Sequence, residues 1–292
     1  MQCPLCSSED YNLFHDRVWS LDGGQVLRCQ SCDVTFIHPM MDEEQEREFY
    51  KSYNEHVKKR GVALSGSTKE LHEKSLAVAA ERVTVIGDLF RNATDVLEVG
   101  AATGAFLTQL PDKTCTVVEP ADDNREFARQ FAAEVYADIE DIPTGRRFDI
   151  ICMFHVFEHI RQPASFLDSC RKLLRSGGWI IIEVPHSADP LISLYQCSAY
   201  KDFYFQPMHP FIHSVESLRT IFSAQGFSEK QVIYHQRYGL VNHLNWLATG
   251  QPGGNAEWQA LLGENREYRA ALEKAGQTDT IFYIAEISDG IC

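Results

Sequence analysis

The sequence predicts an α/β fold built on an open, mainly parallel sheet, and three stretches predict it. The first is Asp95-Val-Leu-Glu-Val-Gly-Ala-Ala-Thr-Gly-Ala-Phe106, a short apolar strand that runs into a Gly100-x-x-x-Gly104 turn and a helix expected from about Ala105. The second is Cys115-Thr-Val-Val118, an apolar run that ends on the acid Glu119. The third is Arg147-Phe-Asp-Ile-Ile-Cys-Met-Phe154, almost unbroken in its hydrophobicity, as a strand covered on both faces should be. Such runs alternating with helical patterns imply crossover connections and a parallel sheet.

The chain has 292 residues with 44% hydrophobic content, enough for one large domain at 42–292 and a small unit at 1–41. With 27 Lys and Arg against 41 Asp and Glu, the formal charge is −14 and no basic cluster stands out, which disfavours nucleic acid as partner. The strongest apolar run, Trp179-Ile-Ile-Ile182, is strand-sized, so no membrane partner is expected. The opening Met1-Gln2-Cys3 reaches polar residues at once and carries no secretory pattern, which predicts a cytoplasmic protein.

Cys3-Pro-Leu-Cys6 and Cys29-Gln-Ser-Cys32 are two C-x-x-C knuckles, each offering two thiolates. Residues 13–19 and 26–28, with Asp22-Gly-Gly24 between them, predict a hairpin that brings the knuckles together. Four cysteines with no open position predict a structural Zn2+ in a zinc ribbon, since so small a unit has too little core to fold alone. Such units often bind nucleic acid, but few Lys or Arg surround these knuckles, so a packing role is expected. A strand over 34–39 leaves the unit, and a charged helical segment follows with Phe49, Tyr50 and Tyr53 on one face. Those rings either pack the linker or, with Tyr50 and Tyr53 as candidates, close as a lid formed by 42–68.

A helix is expected over 71–90, then the strand and turn already described, a helix from Asp122 through Ala133, and a short strand at 135–137. After the strand at 147–154, a helix over 163–174 is predicted to stop at Arg175-Ser-Gly-Gly178 before a strand at 179–184. Further on come a Ser214-capped helix over 215–225, a strand at 231–234, a helix over 257–274 and a closing antiparallel strand at 278–285.

Glycines at such a turn let a ligand approach the backbone, and the following helix start offers unpaired N–H groups. A phosphate site would add basic residues, whereas here Glu98 precedes Gly100 and favours a ligand with positive charge. Glu119 can accept hydrogen bonds from both hydroxyls of a ribose. A cation, a ribose and no phosphate describe S-adenosylmethionine. Glu98-Val-Gly-Ala-Ala-Thr-Gly104 followed by Val117-Val-Glu-Pro120 resembles the first two motifs of the Rossmann-like, class I S-adenosylmethionine-dependent methyltransferases, whose sheet is seven-stranded. A dinucleotide dehydrogenase would read G-x-G-x-x-G, and position 102 here is Ala.

The resemblance implies donor contacts from Glu98, Gly100, Ala101, Gly104, Glu119 and Pro120. It implies adenine near Asp138 and Ile139, with an exposed loop acid the alternative for Asp138. His155-Val-Phe-Glu-His159 matches a stretch that places Phe154 and His155 against the donor in many small-molecule methyltransferases, and His159 is read as structural. Together with the cysteine unit, the chain is similar to bacterial nucleotide-sugar and surface-polysaccharide methyltransferases, which implies a sugar or nucleotide-sugar acceptor. In the sugar C-methyltransferases a Tyr-x-Glu-His stretch supplies the catalytic His. This chain has Gln206-Pro-Met-His209, so both O- and C-methylation stay open.

The segment 185–213 leaves the regular alternation and gathers aromatic residues and histidines, suited to a ring-bearing small molecule. His209 is the first candidate for general base, with His186 and His213 in reserve, against the alternative that each satisfies backbone groups. Tyr204, and Arg237, Tyr238, Asn242 and His243 from a capping insertion at 236–276, are expected to hold substrate. The rival functions are a non-catalytic S-adenosylmethionine-binding or scaffold protein, and an RNA or protein methyltransferase that recognises its target through the zinc unit.

Overall fold

The computed structural model describes residues 1–51 and 67–288. Tyr53 therefore lies outside the described residues, as does the side chain of Tyr50. Among the described residues no helix is long and apolar enough to cross a membrane.

The N-terminal unit is three antiparallel strands, β1 (Tyr11–His15), β2 (Gln25–Cys29) and β3 (Thr35–His38), with the cysteine knuckles at one end. A helix at Glu43–Lys51 then leads out, and another at Thr68–Ile86 packs on the main sheet. That sheet uses β4 (Asp95–Val99), β5 (Thr114–Val118), β6 (Glu134–Tyr136), β7 (Phe148–Phe154) and β8 (Leu174–Pro185) as parallel strands. The two-residue β9 (Phe211–Ile212) turns back to pair with β3, so the segment before it is tied to the N-terminal unit. Last come β10 (Phe227–His235) and β11 (Thr280–Ile287), with β11 antiparallel to both β8 and β10. The order β10-β11-β8-β7-β4-β5-β6 is the seven-stranded sheet expected of a class I methyltransferase.

Alternation along the strands divides the core in two. Leu97, Ile151, Met153, Ile180, Ile182 and Tyr283 face one apolar layer, while Val96, Ile150, Ile181, Phe282 and Ile284 face the other. Full burial of each such side chain contributes about 1.5–3 kcal/mol, which is why the central strands read as apolar runs. The same alternation turns Glu98 and Glu183 toward the layer under the Thr68–Ile86 helix, where polar groups must find partners.

Several local expectations differ from the fold. The helix from Asp122 ends at Ala128, and the single helix expected over 257–274 is two, Ala256–Leu262 and Arg266–Ala275, broken at Gly263. Past Gly104 there is only a 3-10 turn at Leu107–Gln109, because Pro111 cannot continue a helix and biases Leu110 away from helical backbone. The helix at Pro163–Leu173 does not stop on glycines; β8 begins at once at Leu174 and runs through Gly177, whose φ of +71° bends the strand.

Candidate active site

The glycine turn is shaped by backbone that few side chains allow. Gly100 has φ +68°, and a Cβ there would lie 2.4 Å from Val156 Cγ2; Gly104 has φ +73°. Ala102, at φ +47°, bears the same strain without being glycine. It is held by Glu119, whose Oε2 accepts from the Ala102 N–H at 2.8 Å while Oε1 accepts from the Ala121 N–H at 2.9 Å. The carboxylate thus ties the turn to the end of β5, with lone pairs to spare. Thr103 is anchored in turn by His72, whose Nδ1 is 3.0 Å from Thr103 Oγ1 and whose ring stacks on Phe131.

Glu98 is buried beneath this turn, and its Oε2 has no protein hydrogen-bond partner. Burial pushes its pKa up to about 8, opposed by the charge of Arg82 and aided by that of Glu119. Ala101 is also buried, and Phe154 packs edge-on against Phe106 at 4.6 Å.

Next to the turn lies a cavity of about 1170 Å³ at the carboxyl ends of the parallel strands, where open α/β sheets bind ligands. Gly100, Glu119, Pro120, Asp138, Ile139 and His155 all line it. Glu98, Ala101, Gly104 and Phe154 do not; they support the turn from below or behind. Asp138 Oδ1 accepts from the Glu140 N–H at 2.9 Å, which orients the acid at the start of a short turn. Glu46, from the helix at Glu43–Lys51, reaches the rim and pairs with Arg161 at 2.8 Å.

His155, another residue at positive φ (+56°), ends β7 inside a charged network. Its Nδ1 lies 3.2 Å from Glu158 Oε1, and its Nε2 lies 3.2 Å from Glu183 Oε1 and 2.8 Å from Arg237 Nη1. Burial and the Arg237 charge push the imidazole pKa down, but hydrogen bonds to the two carboxylates outweigh them and the net shift is upward. Burial alone would raise Glu158 and Glu183, yet bonding to His155 and its charge bring each down to about 2. Arg82 completes the network, bonding Glu183 Oε2 at 2.5 Å and lying 4.5 Å over the Phe154 ring.

The acceptor candidates separate by burial. His159 lines the cavity, with Nδ1 2.8 Å from the Met208 carbonyl and its ring edge-on to His209 at 4.7 Å, so His209 stands beside the cavity wall. Gln206 Nε2 lies 3.5 Å from the His209 ring nitrogens. His186 and His213 are instead in the interior, and burial pushes each pKa down to about 4. His213 sits between the Phe157 and Phe211 rings. His243 is likewise interior, its Nδ1 2.6 Å from the Tyr268 hydroxyl. Tyr204 packs on Tyr200 and Phe205, and its hydroxyl is buried without a partner. Arg237 enters the His155 network, Tyr238 is exposed, and Asn242 donates to the Gly253 carbonyl at 3.1 Å.

Arg82, Glu158 and Glu183 were not singled out in the sequence as site residues. For Glu183 the signal was there: an acid inside the apolar β8 must pair or stay neutral. Arg82 carries none, being one of several charges on an amphipathic helix.

In the N-terminal unit, the Sγ atoms of Cys3, Cys6, Cys29 and Cys32 lie within 4.8 Å of one another. Cys3 and Cys32 are 3.8 Å apart and Cys6 and Cys29 3.6 Å, too far for disulfides, whose S–S length is about 2.05 Å. Four sulfurs at about 2.3 Å from a tetrahedral Zn2+ would be about 3.8 Å apart, so the set fits the ion.

The family described as Methyltransferase domain matches residues 71–231, which span the donor turn, the cavity and His209. The chain belongs to this family of methyltransferase domains. It is 50% identical over 44 residues to the mitochondrial ubiquinone biosynthesis O-methyltransferase of Candida albicans, a match covering 15% of this chain and 14% of that one. It is 27% identical over 99 residues to the tRNA U34 carboxymethyltransferase of Pseudoalteromonas atlantica, covering 30% and 31% respectively. These matches thus span less than a third of either curated relative. Among solved structures, a methyltransferase from Thermotoga maritima shares the fold with a TM-score of 0.52 at 18% identity, over 83% of this chain and 99% of its own.

Proposed function

We propose that the cavity beside the glycine turn holds S-adenosylmethionine and that the enzyme transfers its methyl group to a small-molecule acceptor, a sugar or nucleotide-linked sugar being the class that fits best. The observation that carries this reading is the gathering of Gly100, Glu119, Asp138 and His155, residues drawn from four separate strand ends, around one cavity. In this arrangement the ribose hydroxyls meet Glu119, the adenine lies by Asp138 and Ile139, and the sulfonium end approaches the turn above Glu98. Glu98, kept largely protonated near neutral pH by burial and set behind the cavity lining, shapes the turn from below and does not supply the charge for the sulfonium that its position in the sequence suggested.

Transfer requires the methyl carbon about 3 Å from the nucleophile, in line with the departing sulfur. The acceptor's proton needs a base, and His209 is the imidazole beside the cavity wall that we assign to it. His186 and His213 are sealed in the interior, where a substrate proton has no path to them. A hydroxyl acceptor suits a single imidazole base better than an unactivated carbon.

The four cysteines hold a structural Zn2+ in this reading. Because β9 pairs with β3, the ion also steadies the segment that carries His209. The tRNA-directed relative supports a second acceptor class. The net charge of −14 weighs against it.

Calorimetry with S-adenosylmethionine, followed by donor consumption over a panel of nucleotide sugars and over bulk tRNA, tests the proposal. Donor binding with turnover on a sugar is expected; salt-sensitive turnover on tRNA alone would replace the acceptor class. His209→Ala should bind the donor normally and lose turnover.

A further inference from the structure

Glu158, His159 and His209 each bring one ligand-type atom within 4.8 Å of the other two, beside the cavity wall to which His159 belongs. Two features of the cluster go beyond proximity. Glu158 is 1% exposed; one of its oxygens faces His155, while Oε2 is buried with no protein partner. A buried acceptor left in this state is costly unless something absent from the chain satisfies it. His159 Nδ1 lies 2.8 Å from the Met208 carbonyl, which can only accept, so Nδ1 carries the proton and the lone pair resides on Nε2. Backbone carbonyls fix metal-binding imidazoles in this way.

We propose that Glu158, His159 and His209 bind a divalent transition-metal ion, and that its open positions take oxygen atoms of the methyl acceptor. Two imidazoles and one carboxylate are a donor set for Mn2+, Fe2+ or Zn2+, and they leave coordination positions for a diol or hydroxy-acid. The ligands would close to about 3.0–3.4 Å of each other around an ion at about 2.1 Å, a movement within reach of small side-chain rotations. The ion's use in transfer rests on the donor reading above; its binding does not. A coordinated hydroxyl loses its proton to water more readily. The oxygen lone pair then forms the bond to the methyl carbon, and the carbon–sulfur pair stays on sulfur as a neutral thioether. With the ion bound, His209 lends its lone pair to the metal, so its part in deprotonating the acceptor is played through the ion and replaces the direct proton transfer assigned to it above.

The test titrates the full chain, loaded with one equivalent of Zn2+ so that the four thiolates are filled and the Glu158-His159-His209 cluster is left free, with Mn2+, a hard ion that does not displace zinc from thiolates. Electron paramagnetic resonance follows the loss of the free aqueous signal, and S-adenosylhomocysteine binding is measured separately by calorimetry. Saturable Mn2+ binding by the wild type is expected, weakened at least tenfold in Glu158→Gln and in His209→Asn. Circular dichroism identifies any variant that fails to fold, and His209→Asn, a change at a partly exposed side chain, carries the test if Glu158→Gln does. Mn2+ left free by the wild type, or bound equally by the folded variants, overturns the site. Mn2+ binding without S-adenosylhomocysteine binding would instead uphold the metal site and overturn the donor reading.

Discussion

Replacing Gly100 with alanine is the sharpest perturbation of the donor turn, because the structure separates two costs. The first is backbone strain: at φ +68° an L-residue is disfavoured by about 1–2 kcal/mol. The second is contact: the new Cβ would meet Val156 Cγ2 at 2.4 Å, well inside carbon–carbon contact, and relieving such an overlap costs about 1–3 kcal/mol. Together they amount to roughly 2–5 kcal/mol, and at roughly 2–4 °C per kcal/mol the melting temperature should fall by roughly 4–20 °C. Because Gly100 and Val156 both line the cavity, the displaced turn should also weaken S-adenosylhomocysteine binding at least tenfold, about 1.4 kcal/mol. Adding Val156→Ala removes the contact and leaves the strain, so the double variant should recover part of both losses. Differential scanning fluorimetry and calorimetry read the two effects. A single variant that binds and melts like wild type, or a double variant no better than the single, refutes the reasoning.

Buried Glu98 has a pKa raised from 4.5 to about 8, so the folded state holds a proton that the unfolded state has released, and stability falls as pH rises from 4.5 to 8. Glu98→Gln should therefore stabilise the ligand-free protein at pH 8 by up to a few kcal/mol, with the advantage gone below pH 4.5 in urea titrations. Buried His213, its pKa lowered from 6.5 to about 4, acts in the opposite direction: the unfolded chain takes up the proton first, so stability is lost as pH falls through that window. His213→Asn should flatten that slope in denaturation measured between pH 7 and 4, whatever its cost at pH 7. Stripping zinc with a chelator, or Cys6→Ala, should lower the melting temperature and turnover together, since β3 carries β9 and the segment before it, while leaving S-adenosylhomocysteine affinity within about twofold. Arg237→Ala removes a cation 2.8 Å from His155 Nε2, and should raise the imidazole pKa further, visible by NMR titration.

How much could be read in advance follows from the range of the interactions. The central strands were legible because parallel strands buried on both faces must be largely apolar, as Phe148–Phe154 is apart from Asp149. The glycine turn was legible for a related reason: the strand, the turn at 98–104 and Glu119, which holds it, lie close in sequence. The helix expected after Gly104 yielded to Pro111, and the glycine stop at 175–178 became an irregularity near the start of β8, left out of the β7 register between Leu174 and Trp179, which pair with Phe148 and Ile150. Contacts of high sequence separation carried no such signal. Nothing in Phe211–Ile212 announces pairing with Thr35 and Phe36, and nothing in Arg237 announces His155. The histidines show the same limit: His186, His209 and His213 look alike in sequence, and only packing makes two of them interior.

In the function proposed, the cavity bounded by Gly100, Glu119, Asp138 and His155 is the methyl-donor site, and crystals grown with S-adenosylhomocysteine put this to the test. Density is expected with the ribose hydroxyls on Glu119, adenine against Asp138 and Ile139, and the sulfur end at the turn above Glu98. Nucleoside density elsewhere on the chain, with this cavity filled by side chains, would contradict it.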